Sequence, residues 1–254
     1  MSNHRLRSLA ALAGLLGAAA ANADLDRALE DLSERAAYGF YAQEPDVIEG
    51  ARAGLEQLSD SDARVSYHRA LAALRAAQLE IERGKPAGAP IAACVESAER
   101  AAEQDSTWAE PWVIVAACSA LGARKEAVKA LLHGRRCDQA LARARALDPE
   151  NPRLALVAAW RLHGGTAELD AEAAAEVIAS LERAVPTFQA RARSYAASDW
   201  GEAEALVLLG ELYLRRGDIR SARDVIERAL LVAPGYASAL ALERALGHHV
   251  VGAL

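Results

Sequence analysis

The chain has 254 residues, a formal charge of −6 at neutral pH, and is 52% apolar but only 5% aromatic. Alanine and leucine dominate where a β protein would carry valine, isoleucine and threonine, so the composition points to an all-α protein with material for one sizeable core or one repeat array. Basic residues are scattered among acids along stretches such as "ERAAE" and "RSARDVIER", which read as solvated helix faces and argue against nucleic acid as a partner.

Residues 1–23 stand apart. "MSNHRLR" is a short basic start, "SLAALAGLLGAAA" a thirteen-residue apolar run, and "ANA" precedes Asp24. This is the three-part pattern of a secretory signal peptide cut after Ala23, and the run is shorter than the roughly 20 apolar residues a membrane span needs. Cleavage removes Arg5 and Arg7 and no acid, taking the charge from −6 to −8. The expected location is the periplasm, with no membrane span in the mature chain.

In chain order, the predicted helices are 24–37, 45–59, 62–83, 90–104, 109–132, 134–147, 152–163, 171–185, 202–216, 218–232 and 235–247. The first two form an N-terminal helical segment, 24–60, and the rest a repeat domain, 61–254. All eight prolines fall where these helices start or have just stopped.

Residues 203–236 carry a sharper pattern. With Pro234 as anchor, Leu206, Leu209, Gly210, Tyr213, Ala222, Ile226 and Ala229 occupy the spacing of a 34-residue tetratricopeptide repeat. Gly210 and Ala222 let two antiparallel helices approach, while Tyr213 and Ile226 fill the space beside that contact. "CVESAERAAEQDSTWAEPW" and "CDQALARARALDPENPRLALVAAW" each look like the second helix of one hairpin running into the first helix of the next. The array is irregular, since 85 residues separate Pro149 from Pro234. From Tyr67 to Tyr236 the chain resembles a group of exported bacterial tetratricopeptide proteins. The resemblance rests on the long first helix, Leu147–Arg153 as "LDPxNPR", Gly164–Gly165, and the Trp200–Gly201 dipeptide opening the last repeat. It implies a right-handed α-solenoid of three to four hairpins, with an N-terminal helical hairpin and a C-terminal capping helix. It also implies export, and no particular activity.

Three cysteines in an exported chain suggest one disulfide and one leftover thiol. Cys94 and Cys118 each lie twelve residues from Ser106, where a helical hairpin would turn, so they stand at the same height and are expected to pair. Cys137 occupies a small-residue core slot and is the expected free thiol. Three small buried apolar residues remain the alternative.

Catalytic and metal motifs are missing from the sequence. "HGGTAELD" lacks phosphate-loop spacing, and His248–His249 point to different helix faces. Glu202 and Glu204 in "WGEAEAL" are expected on a solvated first turn. No catalytic residue, metal site or cofactor is assigned. The leading expectation is a periplasmic binding module that holds a peptide or partner protein in a concave groove. Arg153, Leu156, Trp160 and His163 would line that groove from one helix, and Glu204, Val207, Glu211, Leu214 and Arg215 from another. Trp160 is either its aromatic anchor or a packing residue. The alternatives are a structural subunit bridging envelope proteins and an enzyme with an unrecognised site.

Overall fold

The computed structural model describes residues 3–123, 127–163, 169–191 and 200–251. Among them are eleven α-helices and no strand: α1 Asn3–Tyr41, α2 Pro45–Glu56, α3 Ala63–Glu82, α4 Gly88–Gln104, α5 Glu110–Gly122, α6 Ala127–Leu147, α7 Arg153–His163, α8 Ala171–Arg191, α9 Glu202–Arg215, α10 Ile219–Val232 and α11 Ala237–Val251. They pair in chain order as antiparallel hairpins. The stack runs from α1–α2 through α3–α4, α5–α6, α7–α8 and α9–α10, with α11 closing it against α9 and α10. This is an α-solenoid of helical hairpins, in which α3, α5 and α7 pack on one another in succession and α9, held through α8, continues this inner row.

Local chemistry explains most boundaries. Asp62 caps α3 by accepting the Arg64 backbone N–H at 2.8 Å, and Asp218 caps α10 through the Ser221 N–H at 3.1 Å. Proline sits in the first turn of α2 and of α5, where a missing N–H costs nothing. The N-terminal hairpin buries Leu29, Leu32 and Ala36 of α1 against Ala51 and Leu55 of α2 and Val65 and Ala72 of α3. Ser33 hydrogen-bonds the partly buried His68 ring across the α1–α3 contact. Burial, reinforced by the Arg64 charge, lowers the His68 pKa to about 4 and keeps that ring neutral near pH 7.

Three boundaries differ from the sequence expectation. α1 begins at Asn3 and passes through the Ala23–Asp24 junction unbroken, because nothing between the two ends of this alanine-rich stretch stops a helix. The α5–α6 turn follows Gly122 instead of lying near Gly134. Gly122 leaves room for the His133 ring, which lies 2.7 Å from where a Cβ would stand, and Gly134 sits inside α6 against the Arg161 guanidinium. Finally, α8 runs past Pro186 to Arg191. Phe188 is buried beyond the proline, and Arg191 grips the Asp148 carboxylate with two hydrogen bonds of 2.5 and 2.9 Å. These contacts hold the last turn although the proline removes one helical hydrogen bond.

Cys94 of α4 and Cys118 of α5 form a disulfide with Cα atoms 6.3 Å apart, joining two consecutive hairpins. Cys137 is a buried free thiol whose pKa burial pushes up to about 12, which leaves it a small apolar filler.

In the last repeat Gly210 does make a close helix–helix approach, and the group nearest to it is Ile226 instead of the expected Ala222. A Cβ added at Gly210 would stand 2.8 Å from Ile226 Cγ1 and 3.6 Å from Leu242 Cδ1. Ala222, Ile226 and Ala229 are buried in the same hairpin. Gly210→Leu should therefore destabilise the protein by about 1–3 kcal/mol or more in urea unfolding. Leucine at exposed Arg216 should stay within about 0.5 kcal/mol of wild type. Equal effects at both positions would contradict this packing.

Candidate protein-interaction surface

The inner row is where a helical-hairpin solenoid offers a groove. Here the N-terminal ends of its helices converge on a buried polar ring. Glu110, the first residue of α5, accepts hydrogen bonds from the Tyr67 hydroxyl of α3 at 3.4 Å and Asn151 Nδ2 at 2.6 Å. Its third donor is Arg153 Nη1 of α7 at 3.1 Å. Asn151 Oδ1 accepts the Arg153 backbone N–H at 3.0 Å and so fixes the start of α7. Arg153 Nε donates to the Trp200 carbonyl at 3.0 Å, and the Trp200 indole N–H donates back to the Tyr67 hydroxyl at 3.1 Å. The ring thus closes through α3, α5, α7 and the residue that leads into α9.

A second cluster lies farther along α3. Arg75 and Glu204 form an ion pair, with only 1% and 3% of their side chains exposed. Arg75 also donates to Gln78 at 3.1 Å and to the Tyr41 hydroxyl at 3.3 Å. Tyr41 donates in turn to Glu204 Oε2 at 3.2 Å. Burial and the Glu204 charge hold the Tyr41 phenol well above its ordinary pKa, so it stays a donor at all physiological pH. Glu204 also accepts the Gly201 N–H at 3.0 Å. Gly201 has φ of 103°, and a Cβ there would meet the Phe188 ring at 2.9 Å, so glycine is required at 201 by both backbone and packing.

These clusters decide where the expected groove residues stand. Arg153, Leu156, Trp160, Glu204 and Val207 are all buried. Glu204 is therefore not on a solvated turn, because its charge is matched inside the protein by Arg75; Glu202 is partly exposed. Glu211 and Leu214 are partly exposed and Arg215 is exposed, which makes the C-terminal half of α9 the accessible remainder. Leu162, in the last turn of α7, is likewise exposed. The side chains of His163, His248 and His249 lie outside the described residues, as do Gly164 and Gly165. Sequence reading missed Tyr41, Tyr67, Arg75, Glu110 and Asn151. Glu110 and Arg153 each stand beside a proline at the start of an inner helix, which is the one local signal that could have marked them.

Elsewhere on the surface, a cleft of about 840 Å³ lies between α4 and α6, floored by Ile91, Val95 and Leu121. A second, of about 410 Å³, lies between α8 and α10 beside Tyr213. Among the described residues no cluster of His, Cys, Asp and Glu has the arrangement of a metal site. No described helix is long and apolar enough to cross a membrane.

Trp160 is 8% exposed, and its ring lies 6.3 Å from that of Trp200. Truncating a tryptophan so placed leaves a cavity, and Trp160→Ala should cost about 3–5 kcal/mol in denaturant unfolding. A change below about 0.5 kcal/mol would place Trp160 on the surface instead.

No family model and no curated protein matches the chain. A matching solved structure is that of a thermophilic TPR protein from Thermus thermophilus. It is 17% identical, with a TM-score of 0.52 over 89% of this chain and 98% of that one. At that identity the likeness is one of fold, and the fold is that of a tetratricopeptide-type helical array.

Proposed function

We propose that the protein is a non-catalytic interaction scaffold of the bacterial cell envelope. It is exported with residues 1–23 removed and holds a peptide or partner protein against its inner row of helices. The observation that carries the reading is the stack of helical hairpins, which builds one surface from the same face of successive inner helices. The disulfide between α4 and α5 supports the location, because such bonds persist in oxidising compartments.

With Arg153, Leu156, Trp160, Glu204 and Val207 buried, contact with a partner falls to the C-terminal turns of α7 and α9. Leu162 and Leu214 supply apolar area there, and Glu211 and Arg215 supply charges of both signs. Such a mixed surface suits a polypeptide better than a membrane or a polyanion. Intact mass of the native protein should start at Asp24. The mature protein used as bait in its own envelope extract should retain a specific polypeptide. The double variant Leu214→Asp, Arg215→Glu should release it without changing helix content. A native protein that keeps residues 1–23 would overturn the location, and capture unchanged by the double variant would overturn the surface.

A further inference from the structure

In a helical solenoid each hairpin packs on its neighbours in the chain, and the two ends of the array owe each other nothing. Here the ends meet. Arg75 of α3 pairs with Glu204 of α9, and Tyr41 at the end of α1 hydrogen-bonds the same carboxylate. Tyr67 receives the Trp200 indole N–H. The Tyr236 ring, just ahead of α11, lies 4.7 Å from Tyr41 and 5.6 Å from Phe40. These contacts span more than a hundred residues of chain. Yet neither α1 nor α3 is among the helices that pack along their length on α9 or α11. The seam is made by the tips of long polar and aromatic side chains, not by helix packed on helix.

We infer that this seam is a severable clasp, and that the solenoid has a second, open state in which α9–α11 moves away from α1–α3. Two features make the closure easy to reverse. Its centre is a buried ion pair, whose attraction is largely offset by the loss of hydration of both charges. The pair is also incompletely satisfied, since the buried Nε of Arg75 has no hydrogen-bond partner. Helix-on-helix packing lies within hairpins and between chain neighbours, so each half keeps it when the seam parts, although Phe40, Tyr67, Leu206 and Tyr236 belong to one apolar cluster. The helices between the two halves, α7 and α8, pack on their neighbours more sparingly than α3 to α6 do, which places the flexing there. Opening would expose more of the inner faces of α7 and α9, where Leu156, Trp160 and Val207 are now buried.

The full mature chain tests this by itself. In a Cys137→Ala background, nitroxide labels on cysteines at exposed Tyr38 and Arg216 report the span across the seam by pulsed electron resonance. The unaltered seam should give one narrow distance distribution. Arg75→Met, which strands the Glu204 charge, should move more than half of the population to longer distances with helix content retained. Arg75→Met combined with Glu204→Met should return it to the short distance, since an apolar pair can replace the ionic one. Where Arg75→Met fails to fold, Glu204→Gln, which strands the Arg75 charge, is read in the same way. An unmoved distribution in the single variant would overturn the clasp. So would a single variant that loses helix content cooperatively and is not rescued by the double, since the seam would then be ordinary core.

Discussion

Glu110 is the group on which the inner row depends. A carboxylate at the start of a helix normally faces water, where it complements the helix dipole. This one is buried and takes three hydrogen bonds, from Tyr67, Asn151 and Arg153, on two neighbouring elements. Each donor is itself placed by the same arrangement. Asn151 sets the first turn of α7, and Arg153 fixes the Trp200 carbonyl ahead of α9. Withdrawing Glu110 would leave a buried guanidinium without its counter-charge, a loss of about 3–5 kcal/mol for such pairs. A single charge thereby ties the starts of α3, α5 and α7 to the segment that leads into α9.

The same burial bears on what the inner row presents to solvent. In an open array, side chains at the successive inner positions would face a groove. Here the N-terminal ends are drawn together, and Arg153, Leu156, Trp160, Glu204 and Val207 are used for cohesion. The same residue types would serve recognition if exposed: a tryptophan, a guanidinium, a carboxylate and branched aliphatics. Cohesion and recognition compete for one set of side chains, and the buried polar groups mark where the competition is decided.

The fold is largely legible in the sequence because its determinants are local. Gly210, Tyr213, Ala222 and Ile226 lie within one hairpin, and their spacing alone specifies the close contact. Symmetry about one turn pairs Cys94 with Cys118, and the structure joins them. The α5–α6 turn is not legible, since "ALGARKEAVKALLHGRR" has two glycines and no proline to choose between them. The continuation of α8 past Pro186 depends on Asp148, some forty residues away, and no local pattern carries that information. The buried network is hidden for the same reason. Glu204 looks like a solvated first-turn charge, and Arg153 like a groove residue, until partners from distant helices are known. Burial of Tyr67 against Trp200 joins residues 133 apart in sequence.

Native-state hydrogen exchange, resolved along the chain by mass spectrometry, tests most directly whether the buried ring holds the inner row together. The first turns of α5 and α7, which Glu110 ties together, should be among the slowest to exchange, opening only with global unfolding. Helix N-termini ordinarily exchange quickly, so such protection would have no other local source. The C-terminal turns of α7 and α9 should exchange faster than the N-terminal ones. First turns that exchange as fast as the last turns, or that open independently of one another, would contradict the account.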